Sequence, residues 1–359
     1  MNPHQSLLNL TKSYLQESVT PHATMIDSDA EALQNALIGL GKLGLLALRV
    51  PSSWGGWAVC EETFQSFQEL VARHSGALAF LQTQHQSAAA MLAQSHNELL
   101  GLEYLPQISK GNVLLGIGFS HLRRGGEPLV KAVPVTGGYQ IEGFVPWVTG
   151  FGLFQQFIVA ASLPDGQTVF GLMPFVQTSD AVGAITFSQP IKLAAMSSTN
   201  TVTATIKNWL LPEKSVVSVK SSQWIHENDK KNVLNATGLT LGCAMAGLDI
   251  VQAAYSNKKF SFIVQAFETL NQELSNCRSA IRQAQSSQTS LDKRLQLRAW
   301  AIDLAVRCAH AGVTVSGGAA NYSNHAAQRV YREALVFSVS GQTAAVMEAS
   351  LARLMRSPV

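Results

Sequence analysis

The chain is short of charge. Asp, Glu, Lys and Arg together make up only 14% of its 359 residues, and the net charge is +3. Nucleic-acid binding needs dense Lys/Arg patches, whereas the nearest basic run here is Lys258-Lys259, so nucleic acid is not an expected partner. Cysteine is scarce as well. Cys60, Cys243, Cys277 and Cys308 are scattered, none forms a CxxC pair, and each sits in an apolar or helical context that favours a buried thiol over a disulfide or a metal ligand. The histidines form no HxxxH or HExxH pair, and His85, His310 and His325 lie far apart, so no metal site is expected. No GxSxG elbow is present for acyl transfer, and no GxGxxG string follows a strand. The opening MNPHQSLLNLTKSYLQ lacks a basic head and continuous apolar core, so it does not read as a signal peptide, and a cytoplasmic location is the default expectation. The longest apolar stretch, around Leu239 to Val251, is interrupted by Asp249 and is too short to span a bilayer.

Hydrophobic residues, by contrast, make up 47% of the chain. That suits a large core and a buried oligomer interface, and the length suits two or three structural units. Residues 1–112 read as helical. Ser28-Asp29-Ala30-Glu31 is a capping box followed by Leu33, Leu37, Leu40 and Leu43 at helical spacing. A break at Pro51-Ser52-Ser53-Trp54-Gly55-Gly56 precedes a helix from about Glu61 to Ser75-Gly76 and another from Ala77 to Gln94. Residues 113–222 change period. Val113 to Phe119 is an apolar strand, Gly137 to Gly143 alternates around a glycine turn, and Pro164-Asp165-Gly166 joins a hairpin. Thr201 to Ile206 alternates as a half-buried strand does. Residues 223–359 return to helix, over 235–256, 262–287, 291–315 and after Thr343. The expected class is α+β, with an N-terminal helical domain, a middle β-barrel or sandwich, and a C-terminal four-helix bundle.

This order, with several local strings, resembles the acyl-CoA dehydrogenase family over nearly the whole chain. The strings are Pro51-Ser52-Ser53-Trp54-Gly55-Gly56, Trp147-Val148-Thr149 after a Gly-Tyr-x-Ile-x-Gly turn, Val315-Ser316-Gly317-Gly318, and Arg332-Glu333-Ala334. The resemblance implies an FAD-dependent oxidoreductase that dehydrogenates the CH–CH bond of an acyl-CoA-like small-molecule substrate. It further implies a homo-oligomer, dimer or tetramer, in which a neighbouring subunit completes the flavin site. Trp147 would pack on the isoalloxazine ring, Thr149 would hydrogen-bond near its reactive nitrogen, and Ser120 would touch the pyrimidine edge. Gly317 and Gly318 would admit the nucleotide closely, since no Cβ obstructs it. Thr343 would lie near the pyrophosphate. Leu304, Ala305, Cys308 and Ala311 share a helix face suited to a neighbouring helix. Leu81, Gln84 and Ala88 are candidates for lining the substrate pocket.

The family's base is the point of departure. A buried Glu whose pKa is raised towards the working pH removes the α-proton of the thioester. Its Tyr-Glu-Gly-Thr string is matched here by Ser340-Gly341-Gln342-Thr343, with Gly341 at the position of the acid. Asn235-Ala236-Thr237-Gly238, which matches the alternative location of the base, holds no carboxylate either. Asp249 and Glu348, the nearest acids in sequence, read as satisfied surface or interface charges. Catalytic residues are thus unassigned. After Ser120, His121 stands where the family carries an acid. Arg123 and Arg124 read either as phosphate contacts or as a solvated loop. The family's Arg-x-x-Phe-Gly segment is reduced to Asn257-Lys258-Lys259-Phe260-Ser261, which predicts weakened flavin binding. Three classes stay open: a dehydrogenase, a flavin-dependent monooxygenase that needs no α-proton base, and a non-catalytic binding or assembly protein.

Overall fold

The computed structural model describes residues 3–355. Six helices come first: α1 (Pro3–Tyr14), α2 (Ala23–Ser28), α3 (Ala30–Lys42), α4 (Glu61–His74), α5 (Gly76–Ala93) and α6 (Glu98–Ser109). Nine strands follow: β1 (Leu115–Gly118), β2 (Val130–Val135), β3 (Gly138–Val148), β4 (Gln156–Ser162), β5 (Thr168–Pro174), β6 (Thr178–Asp180), β7 (Gly183–Phe187), β8 (Val202–Pro212) and β9 (Val216–Lys220). Six more helices close the chain: α7 (Trp224–Lys231), α8 (Thr237–Lys258), α9 (Ser261–Ser286), α10 (Leu291–Ser316), α11 (Ala326–Val339) and α12 (Ala344–Leu354). Helix, sheet, then helix bundle is the order that the hydrophobic period implies.

Details differ from the sequence reading. The cap of α3 is Asp29, whose carboxylate accepts the Ala32 N–H at 2.8 Å, while Ser28 ends α2. The polar stretch after residue 221 contains α7, and α11 stands as a separate helix; both were unexpected, α7 because a short polar helix leaves little apolar period to read, whereas α11 carries Val330, Ala334 and Phe337 at helical spacing that the sequence reading passed over. Cys243, Cys277 and Cys308 are buried as expected, but Cys60 is exposed at the start of α4, its Sγ 3.2 Å from the Thr63 hydroxyl.

The strands form one path, β6-β7-β8-β3-β2-β4-β5-β9, with β1 pairing in parallel beside β4. The sheet curls until β5 lies on β8: a Cβ on Gly171 would collide with the side chain of Leu211. Phe151, Phe157, Phe175 and Phe187 fill this curl, with ring centroids 4.9–6.1 Å apart.

Helix α8 is apolar on every side because it is buried on most sides. It is long and apolar enough to cross a membrane, yet two-thirds of its apolar stretch is buried against this chain's own helices. Its glycines allow that. A Cβ on Gly242 would lie 2.4 Å from the Glu69 carbonyl oxygen on α4, and one on Gly247 would lie 2.5 Å from the Cys308 backbone on α10. The face carrying Leu304, Ala305 and Cys308 is therefore consumed within the chain and is not left for a neighbouring subunit.

Ionic ties join the first helices to the last. Glu333 on α11 is fully buried, pairs with Arg329 at 2.6 Å, and accepts the Gly76 N–H at 3.1 Å. Burial pushes the Glu333 carboxyl up, and the Arg329 guanidinium pulls it back. Asp27 pairs with Arg332 at 3.0 Å and accepts the Met196 N–H. Such pairs fix geometry more than they add stability, since both charges give up water.

Substituting Gly247→Ala should cost about 1–3 kcal/mol of stability, because backbone and not a flexible side chain stands in the way. Gly318→Ala, where a Cβ meets nothing within 4 Å, should stay within about 0.5 kcal/mol. Thermal melts of the two variants beside the wild type check this; equal melting temperatures would refute the close-packed seam.

Candidate functional site

The residues named for a flavin fall into two groups. Ser120, Trp147 and Thr149 lie together at one edge of the sheet. Ser120 opens a short turn of 3-10 helix, Ser120–Arg123, which packs on β3, and its side chain is exposed. Trp147 is the penultimate residue of β3. Its neighbour Val148 points into the core, so the indole is turned outward with 38% of its surface free. The indole offers a flat apolar face to a ring system.

Thr149 is placed differently from the expectation. It is 1% exposed, and its hydroxyl lies 3.0 Å from the Thr201 hydroxyl, on the inner side of the sheet. β3 ends at Val148, and the chain then turns, the Gly150 N–H donating to the Thr199 carbonyl at 2.9 Å, so Thr149 is buried beside Thr201 where continued alternation would turn it out. Its hydroxyl is thus spent on the sheet.

The second group sits on the bundle. Gly317 and Gly318 follow α10 in an open turn; Gly317 has φ +61°, and a Cβ on either would meet nothing within 4 Å. Lys258 reinforces this end of α10 by donating from Nζ to the Val315 carbonyl at 2.6 Å. Thr343 caps α12, its hydroxyl accepting the Val346 N–H at 3.3 Å. Among the described residues no hydrogen bond or ion pair joins this group to the first.

Two residues before Thr343 lies the loop that matches the family's base-bearing string. Gly341 has φ +61°, a conformation an L side chain rarely takes. Arg298, a buried residue on α10 that sequence reasoning passed over, grips this loop from below. It donates to the carbonyls of Ser340 (2.7 Å), Gly341 (3.0 Å) and Val233 (3.0 Å). Burial lowers its pKa to about 10, so it stays charged at neutral pH. The loop thus presents backbone over an arginine where an acid would stand. Asp249 is committed to Arg73 at 2.6 and 2.7 Å, and Glu348 is exposed on α12. Neither supplies a buried carboxylate.

The remaining candidates are structural. Leu81 and Ala88 are core residues, and Gln84 is half-buried with its amide turned back towards the Phe80 carbonyl. Arg123 is held by Asp229 in a two-point pair at 2.7 Å, while Arg124 is exposed. His85 and His121 flank β1. His85 Nδ1 accepts the Leu115 N–H at 2.9 Å, and His121 Nε2 donates to the Ala160 carbonyl at 3.0 Å.

The helix–sheet–bundle architecture is that of the acyl-CoA dehydrogenase fold. Residues 2–112 match the family model described as acyl-CoA dehydrogenase, N-terminal domain. The Bacillus subtilis (strain 168) protein named "Probable acyl-CoA dehydrogenase YngJ" is 20% identical over 97% of both chains. The 3-(aryl)acrylate reductase of Clostridium sporogenes is 19% identical, also over 97% of both. The solved glutaryl-CoA dehydrogenase of Mycobacterium smegmatis shares the fold with a TM-score of 0.83 at 14% identity, covering 100% of this chain and 96% of that one. Residues 2–112 thus match the N-terminal domain of the acyl-CoA dehydrogenase family, and nearly the whole chain is similar to proteins named as its members.

Burial lowers His85 and His121 to about 4, from 6.5, so both are neutral in the folded state. An unfolded chain takes up protons below pH 6.5 that these rings refuse. The stability they contribute is present above that pH and is lost as pH falls towards 4, by up to about 2 kcal/mol per ring between pH 7 and pH 5. The drop in melting temperature over that range should therefore be smaller for His85→Gln than for wild type. Parallel curves would contradict the assignment.

Proposed function

We propose that this chain is an FAD-dependent oxidoreductase acting on an acyl-CoA-like substrate as a homo-oligomer. The single observation that carries the reading is the outward-facing Trp147 beside the exposed Ser120 turn.

The residues fit a flavin in most respects. Trp147 offers a face for the ring and Ser120 a hydroxyl for its polar edge. The unobstructed Gly317-Gly318 backbone leaves room for a nucleotide. Thr149 fits less well, since its hydroxyl is engaged by Thr201, so only its backbone remains available to a ligand. Bound there, the flavin would supply two-electron redox chemistry. The protein's part is to orient the ring on Trp147 and to exclude water.

One chain separates the two half-sites, and a second copy would unite them. Exposed apolar residues offer the surface for it: Tyr331, Leu335 and Val339 form a stripe along α11, and Met347, Leu351 and Leu354 another on α12.

A specific observation favours a second reading of the reaction. Gly341 over Arg298 provides no carboxylate to remove an α-proton, which suits a flavin-dependent monooxygenase better than CH–CH dehydrogenation. Similarity to a probable acyl-CoA dehydrogenase and to a 3-(aryl)acrylate reductase supports redox work on acyl or acrylate substrates generally.

Titration with FAD tests the proposal. Quenching of tryptophan fluorescence should saturate near one FAD per chain, and Trp147→Ala should weaken binding roughly tenfold or more, the loss of about 1.4 kcal/mol of ring packing. A wild-type protein that takes up no FAD would leave the binding-protein reading in its place.

A further inference from the structure

A cavity of about 200 Å³ opens beneath the loop that follows β1, next to the Ser120 turn; none of Ser120, Trp147, Thr149, Gly317, Gly318 or Thr343 lines it. Its walls come from that loop, from the β4–β5 hairpin and from the segment leading into α7. The residues that give it chemistry are His121, Arg124, Thr168, Ser221, Ser222 and Trp224. This is far more room than one water requires.

His121 makes the cavity selective. The ring is 4% exposed, and its Nε2 faces the Ala160 carbonyl. A carbonyl oxygen only accepts, so Nε2 carries the hydrogen and Nδ1 is left as a lone pair. That Nδ1 is buried and has no partner. Buried acceptors are rarely left unmet, so this atom calls for an N–H or O–H brought from outside. An acid at this position, as in the family pattern, would place a charge here; the neutral imidazole places only an acceptor.

Arg124 supplies the complementary charge. Its neighbour Arg123 is bound to Asp229, and Glu127 is paired with Lys131 at 3.1 Å. Arg124 is exposed and has no ion-pair partner among the described residues. Beside it the Gly125-Gly126 turn is unobstructed, and the hydroxyls of Ser221 and Ser222 are exposed on the opposite wall. One guanidinium with several hydroxyls around it suits a tetrahedral oxyanion.

We propose that this cavity is a second ligand site, which takes a phosphate monoester whose organic part donates an N–H or O–H to His121 Nδ1 while its phosphate meets Arg124. The proposal does not depend on the flavin reading. Such chemistry has two sources, a free phosphorylated metabolite or the phosphorylated tail of a larger cofactor.

Calorimetric titration of the full chain separates the outcomes. Glycerol 3-phosphate should bind at least tenfold more tightly than methyl phosphate, both as dianions, because only the first brings a donor in its organic part. His121→Phe should erase that difference, whereas Arg124→Ala should weaken both probes. Coenzyme A binding with the same two sensitivities would assign the ligand to a cofactor tail, and glycerol 3-phosphate binding without coenzyme A would assign it to a free ester. Equal affinity for the two small phosphates, or indifference to Arg124→Ala, would overturn the proposal. Should His121→Phe fail to fold, the wild-type comparison and the surface variant Arg124→Ala still decide it.

Discussion

The close approach of α8 to α4 and α10 is the constraint on which the rest of this fold depends. Gly242 and Gly247 bring backbone against backbone, so one helix serves both as the inner wall of the N-terminal helices and as the centre of the bundle. Helices spaced by ordinary side chains sit 8–10 Å apart; small residues at the crossing let them close in. Once α8 is fixed, α11 lies where Glu333 reaches the start of α5, and Asp27 and Arg332 complete the tie. Gly76 is glycine for the same reason, since a Cβ there would collide with the Glu333 side chain. The curled sheet is then held between two bodies that are themselves locked together.

That rigidity explains how the candidate site is distributed. Trp147 and Ser120 are displayed on the sheet, and Gly317, Gly318 and Thr343 on the bundle, with the Gly341 loop between them in sequence and anchored by Arg298. The arginine is held deep in the protein by three backbone carbonyls, an arrangement that shapes the loop without presenting an acid to anything above it. The family frame is therefore kept while the carboxylate that defines its usual chemistry is replaced by backbone.

Much of this was legible in the sequence because it rests on period and punctuation. The hairpin at Pro164-Asp165-Gly166, the alternation from Thr201 and the long apolar period of α8 and α10 each leave a local signature. What was not legible depends on tertiary contact. The turn that ends β3 after Val148 buries Thr149 against Thr201, and no local pattern announces it. The Leu304–Cys308 face reads equally well as an oligomer surface or as an internal seam, and Gly247, almost sixty residues away, decides for the seam. Arg298 sits in a helix whose spacing suggests nothing beyond amphipathicity, so its role emerged only with the loop that it holds. His121 was visible as a departure from the family's acid, but its unmet Nδ1 was not.

The central claim is that the Trp147–Ser120 edge of the sheet serves the proposed flavin while no carboxylate stands at the position of the α-proton base. Its most direct test is an anaerobic titration of the FAD-loaded protein with butyryl-CoA, following the visible band of the oxidised flavin. The account predicts that the band persists through excess butyryl-CoA and disappears on addition of dithionite. Bleaching by butyryl-CoA itself would show that a base operates from elsewhere and would contradict it.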